Sequence, residues 1–284
     1  MKRPRRRGRT FAWLLAGLAA LAALPGSVVT HAQPIAALDV VGHVGGAPSD
    51  AAVVGDVAYV ATGYALDAYD ISRPDQPVLL GSLPRRGTTW DEAPQDPQRL
   101  HVVGDHGLLV DRNMVRLLDL ANPSAPAEEG VYSLPETRIL DAVRDGTILY
   151  VASAIDRSGV TVVDISMPSV PRELAYTNDG RYSHLVLAGG CLYAAGEAED
   201  ASSPTVPGLR VYDVTVPTAP LEMSWMEWPA PGPYDLAVAA NRLYVALDGG
   251  VRMFTVVDPI DPRYVGAIGT AGQRCTSIRR VIAH

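Results

Sequence analysis

Beyond Lys2 the 284-residue sequence contains no lysine at all, and it holds only two cysteines, two phenylalanines and 6% aromatic residues. Each scarcity removes a class of protein. Six of the 24 basic residues fall within Met1–Arg9, so the rest of the chain sets 18 arginines against 31 acidic residues, a net charge of −13. A chain that acidic is poorly matched to nucleic acid or to an anionic membrane surface. Cys191 and Cys275 fall in distant repeats of the pattern described below, which argues against a disulfide. No Cys/His cluster has metal-ligand spacing, and H-E-x-x-H, G-x-S-x-G and phosphate-loop motifs are absent. Beyond the amino terminus no segment sustains a 3.6-residue apolar period, so helices are not expected, and no membrane span is expected in the mature chain.

What is present is a repeat. Residues 50–83 read DAAVVGDVAYVATGYALDAYDISRPDQPVLLGSL, and altered copies follow four more times. The clearest anchor is an aspartate that ends an apolar run: Asp70, Asp119, Asp164, Asp213 and Asp258, spaced by 49, 45, 49 and 45 residues. A proline stands four positions later each time, at Pro74, Pro123, Pro168, Pro217 and Pro262. Upstream of each aspartate lies a turn followed by an apolar pair, such as Gly55-Asp56 before Tyr59-Val60-Ala61 and Gly146-Thr147 before Tyr150-Val151-Ala152. Each unit thus holds four short runs rich in Val, Leu, Ile and Tyr, bounded by Gly, Asp and Pro, which is the signature of strands. Four antiparallel strands in ~45 residues make one blade of a propeller.

The expected fold is an all-β propeller with five full repeats, about 50–83, 99–135, 139–178, 184–227 and 234–270. Residues 35–45 resemble the last strand of a repeat and 275–284 the first strand of another, so a partial sixth blade is expected from these two pieces. Its middle strands are missing, which reads as truncation of a longer chain. Repeats share one continuous core, so residues 33–284 form a single domain.

The segments Val57-Ala58-Tyr59-Val60-Ala61 and Val162-Val163-Asp164-Ile165-Ser166, with the Asp-x-x-x-Pro-x-x-Pro connector, resemble the LVIVD-repeat family of bacterial propellers. The likeness runs over about residues 50–270. It implies the fold and export; it implies no reaction, because members of that family mostly have none assigned.

The amino terminus supports export. A basic Met1–Arg9 precedes an apolar run from Phe11 to about Leu24 and a Thr30-His31-Ala32 end, the order of a signal peptide, with cleavage expected after Ala32. The mature protein is therefore expected outside the cytoplasm, in the envelope or secreted.

Aligning the repeats on Tyr59 places Asp50, Arg99, Asp141, His184 and Asp235 at one position, nine residues before that anchor. This is the entry of each innermost strand, at the rim of the central channel. Five ionisable side chains converging there are candidates for a polar ligand or a cation. Wet rims also need polar residues simply to satisfy strand ends. The Asp70-type anchors read as structural, with Asx turns set before proline. Long connectors at 84–98, 196–208 and 224–233 fall on the rim face, and their Trp90, Trp225 and Trp228 are candidate recognition residues. The expected function is binding or scaffolding of a protein or glycan at the cell surface, with no cofactor. The alternative is a calcium-type propeller hydrolase or lactonase acting through the rim acids and His184.

Overall fold

The computed structural model describes residues 48–84, 99–200, 203–228 and 232–269, together with 275 and 278, with side chains 198–205 left aside. Every regular element in them is a strand. The first blade comprises β1 (Pro48–Val54), β2 (Val57–Thr62), β3 (Ala65–Asp70) and β4 (Val78–Pro84). The second comprises β5 (Arg99–Val103), β6 (His106–Asp111), β7 (Met114–Asp119) and β8 (Ala127–Ser133). In the third, β9 (Thr137–Asp145), β10 (Ile148–Ile155), β11 (Gly159–Asp164) and β12 (Arg172–Tyr176) follow. The fourth has β13 (Gly180–Ala188), β14 (Cys191–Asp200), β15 (Ser203–Asp213) and β16 (Leu221–Glu227). The fifth has β17 (Asp235–Ala239), β18 (Arg242–Leu247), β19 (Gly250–Thr255) and β20 (Arg263–Ile268). Each blade is a four-stranded antiparallel meander in chain order, so the chain is a ring of five described blades. No sixth sheet occurs among the described residues. The leader, residues 35–45 and most of 275–284 lie outside them.

The core sits between blades, and the two-residue period of a strand creates it. On β10, Leu149 and Val151 join a cluster with Leu108, Leu117 and Val115 of the second blade. The alternate residues Tyr150 and Ala152 join Leu185, Leu192 and Ala194 of the fourth. Successive side chains point to opposite faces of a sheet, so each second strand cements two interfaces. Four such clusters fill the four junctions between described blades. Outer strands are left largely exposed, as in β4 and β20.

Two recurring devices lock the blades. The Tyr59, Tyr150 and Tyr193 hydroxyls donate to the carbonyls of Leu120, Val214 and Pro259, each just past the anchor aspartate of the next blade. Every outer strand also carries a bulge opposite the third strand, for example between Ala68 and Tyr69 and between Leu117 and Leu118. Beside two of these bulges a glycine lies against the next blade: a Cβ on Gly81 would stand 2.6 Å from the Ser124 carbonyl oxygen, and one on Gly130 1.7 Å from that of Pro168. The anchor aspartates form the expected Asx turns, Oδ1 accepting the N–H two residues on at Asp70, Asp119, Asp164, Asp213 and Asp258.

Candidate functional site: the acid–base ring of the central channel

The five rim residues come together on the innermost strands β1, β5, β9, β13 and β17, and all but His184 line a channel of about 1260 Å³. In three blades the strand is bulged just before the rim position, at residues 49, 140 and 183. A bulge re-aims the side chain that follows it. Here the bulges precede Asp50, Asp141 and His184, whereas Asp235 opens its strand with no bulge before it.

Asp50 Oδ1 accepts from its own neighbour Ala51 N–H at 2.8 Å, and Oδ2 from Leu100 N–H of the second blade at 2.9 Å. Asp141 repeats this with Ala142 and with Leu185 of the fourth blade, both at 2.9 Å. Asp235 does the same with Leu236 at 2.9 Å and Ile278 at 2.7 Å. Asp50 and Asp141 are therefore staples between consecutive innermost strands, and Asp235 ties β17 to Ile278 in the same way. Each N–H one place past the rim serves one carboxylate, either its own or that of the preceding blade. Aspartate can thus hold every second blade, and the intervening rim positions are occupied by Arg99 and His184.

The five rim residues differ in how far they open to the channel. Asp50, Asp141 and His184 are buried and Asp235 nearly so, and the three carboxylates already accept backbone N–H groups. Arg99 is the more open member, at 28% exposure, with its guanidinium 3.7 Å from Asp141, 4.0 Å from Asp235 and 3.5 Å from His184 Nε2. His184 Nδ1 lies 3.4 Å from Asp235.

The alignment missed His101. It lies two residues after Arg99 on β5, on the same strand face, and its Nε2 meets Asp141 Oδ1 at 2.8 Å. The two-residue period counted from Arg99 would have found it. Burial opposes the charged imidazole, but the charge and hydrogen bond of Asp141 outweigh it and raise the His101 pKa. Burial likewise pushes Asp141 upward, and His101, then Arg99 and His184, overcome this and hold its carboxyl down at about 2. Asp235 is lowered too: burial resists, while hydrogen bonds from His184 and Ile278 N–H prevail.

Among the described residues no three His, Cys, Asp or Glu side chains gather as a metal site. Both carboxylate oxygens of Asp50, Asp141 and Asp235 accept a backbone N–H.

The tryptophans separate. Trp90 lies outside the described residues. Trp228 is buried at 5% exposure against Phe254, ring centroids 5.7 Å apart, so it is a core residue and not an exposed loop residue. Its backbone N–H pairs with Pro207 O at 2.9 Å. Trp225 is half-buried on β16, with the Arg210 guanidinium 5.2 Å above its ring. The connectors at 196–208 and 224–233 also prove less loop-like than expected: β14 and β15 extend into a long hairpin, and β16 runs to Glu227. Arg210 belongs to a second polar network, in which Asp179 accepts from the hydroxyls of Thr177, Tyr182 and Tyr212 and pairs with Arg210 at 2.8 Å. Burial, with Tyr182 and Asp179 alongside, drives the Tyr212 phenol far upward, which suits a permanently neutral donor.

Antiparallel four-stranded blades, inter-blade cores and a polar channel define a β-propeller. The model of the LVIVD repeat matches residues 45–84 and 146–178, on the first and third blades, so those two blades carry LVIVD repeats. No curated protein matches the sequence. Solved structures with the same fold include a protein provisionally named a 6-phosphogluconolactonase from Bacteroides fragilis, at 14% identity and TM-score 0.59, covering 79% of this chain and 70% of that one. A functionally unknown protein from Desulfotomaculum acetoxidans aligns at 14% identity and TM-score 0.58, covering 81% and 74%. The WD40 domain of Neurospora crassa Pan2 aligns at 10% identity and TM-score 0.53, covering 80% of this chain and 66% of that domain. At such identities the likeness concerns fold alone. Among the described residues no helix is long and apolar enough to cross a membrane.

Proposed function

We propose that the protein is an exported, non-enzymatic binding module that receives a protein loop or glycan of its cell-surface surroundings at the mouth of the central channel. The observation that carries this reading is the division of labour in the ring. The carboxylates are consumed as staples, whereas Arg99 and His101 remain open to a roomy channel as donors held in place by Asp141. Preorganised donors with satisfied partners suit recognition of carbonyl and hydroxyl oxygens. The same saturation of the acids weighs against the calcium-dependent hydrolase.

The test uses the chain beginning at Gln33, the expected mature start, in a thermal-shift screen against oligosaccharides, envelope peptides and divalent cations. A bound partner raises the melting temperature by mass action. The reading expects a shift with a glycan or peptide that His101→Gln abolishes, and none with calcium. A calcium-dependent shift coupled to ester turnover would reject it. Recovery of the chain in the cytoplasm, with residues 1–32 retained, would reject export.

A further inference from the structure

One step below the rim the character of the channel changes. Two residues on from Asp50, Arg99, Asp141, His184 and Asp235, the innermost strands carry Ala52, His101, Val143, Val186 and Ala237, and all five line the channel. Four of these five are aliphatic. Val102, Leu187 and Val238, each one residue further on, line it as well. The aliphatic side chains are only partly buried, so they turn apolar surface to the channel. Their other flanks are fixed. Val143 and Leu187 pack on the core between the third and fourth blades, Val186 and Val238 on that between the fourth and fifth, and Ala52 and Val102 on that between the first and second. The result is a preformed aliphatic collar beneath a polar rim.

The basic groups above the collar are not free charges. Arg99 stands 3.7 Å from Asp141 and 4.0 Å from Asp235, and His101 is bonded to Asp141 at 2.8 Å while keeping 34% exposure. An entering anion would meet the rim carboxylates together with these cations, so the ring selects weakly for net charge. An uncharged acceptor, such as a peptide carbonyl, gains the N–H contacts without that opposition. Beneath it, the collar decides what the rest of the ligand is. A sugar would bring hydroxyls that valine and alanine cannot partner, and a buried polar group without a partner is costly. An aliphatic side chain gives up only apolar surface to water, and its burial is favourable.

We propose that the partner at this site is a polypeptide loop, which inserts an aliphatic side chain into the collar while its backbone carbonyls meet Arg99 and His101. This inference rests on the channel reading above and chooses between the two partners that reading allows.

The experiment is isothermal titration of the chain beginning at Gln33 with three probes: acetyl-Gly-Leu-Leu-Gly-amide, its polar counterpart acetyl-Gly-Ser-Ser-Gly-amide, and cellotetraose. The leucine peptide is expected to bind at one site, about tenfold or more tighter than the serine peptide or the tetraose. Val143→Thr and Val186→Thr keep the branched shape that suits a strand while placing a hydroxyl in the collar. Each is expected to weaken the leucine peptide about fourfold, and the pair about tenfold or more. Equal affinity for the two peptides, tighter binding of the tetraose, or no binding of the leucine peptide at about 5 mM overturns the inference. So does full affinity in the Val143→Thr/Val186→Thr protein with its melting temperature preserved; the comparison of probes on the unaltered protein decides the matter without that variant. His101→Gln separates the two readings. Tetraose binding that His101→Gln abolishes leaves the channel reading standing and this inference fallen, whereas leucine-peptide binding unmoved by His101→Gln overturns both.

Discussion

Asp141→Ala is the sharpest perturbation of the ring. The carboxylate is 2% exposed and accepts from Ala142 N–H, Leu185 N–H and His101 Nε2. Removing it strands two backbone donors at a blade junction, at about 1–3 kcal/mol for each buried group left unsatisfied. It also leaves His101 and Arg99 without their shared anion. Relief of the buried carboxylate's desolvation offsets part of this, which brings the expected loss to about 4 kcal/mol. Asp141→Asn keeps one acceptor oxygen for one N–H but turns an amide toward the other, so about 2 kcal/mol is expected. Urea unfolding of the three proteins at pH 7 gives the values, and amide hydrogen exchange supplies the specific readout. Leu185 N–H lies at the start of the fourth blade, 44 residues from the substitution, and should lose protection before its strand neighbours do. A loss under about 1 kcal/mol with Leu185 still protected would refute the staple.

Three further outcomes follow from the same geometry. Asp141 is held at about 2, below its unfolded value, so its contribution is fully present above about pH 4 and fades as pH falls toward 2; His101 is raised, so its contribution is full below about 6.5 and fades as pH climbs through its folded pKa. Melting temperature against pH should therefore crest on the mildly acidic side, and His101→Gln should flatten the alkaline limb; an unchanged limb would contradict the pairing. Gly130→Ala should destabilise by about 3 kcal/mol because its Cβ meets backbone that cannot step aside, whereas Gly55→Ala, with open space but φ +58°, should cost only about 1 kcal/mol; chemical denaturation ranks the two. Trp228→Ala should cost about 3–5 kcal/mol as a core cavity and Trp225→Ala about 1 kcal/mol, and equal losses would return Trp228 to the surface.

Legibility in the sequence follows the range of each interaction. The anchor at Asp164 was plain because its turn closes within two residues, onto Ser166 N–H, with Pro168 just beyond. The strands were plain because short runs of Val, Leu, Ile and Tyr end at Gly, Asp or Pro; Leu149 to Ala152 are all buried because alternate residues serve two different blade junctions. The rim alignment was visible as a column of ionisable residues, but its meaning was not. The partner of Asp50 is the N–H of Leu100, a group every non-proline residue owns and no letter announces. Trp228 misled for the opposite reason: a proline-rich segment with two tryptophans reads as a loop, yet the indole packs against Phe254 in the core.

The alternation Asp50, Arg99, Asp141, His184, Asp235 is thereby a consequence of donor arithmetic. Ala51, Ala142 and Leu236 give their N–H groups to their own aspartate; Leu100, Leu185 and Ile278 give theirs to the aspartate of the blade before. Two adjacent aspartates would compete for one donor. His184→Asp tests this directly. The new carboxylate would seek Leu185 N–H, already held by Asp141, and would stand close to Asp235, where the imidazole now lies at 3.4 Å. A buried charge without a partner beside a like charge should cost about 3–5 kcal/mol. The uncharged His184→Gln should cost about half as much, roughly 2 kcal/mol, since it loses packing and one polar contact but competes for nothing. Denaturation at pH 7 and again near pH 4 separates the causes, because partial protonation of the new acid should recover part of the loss. A stable His184→Asp protein, or one no better at pH 4, would mean that the alternation has another origin than the shared N–H.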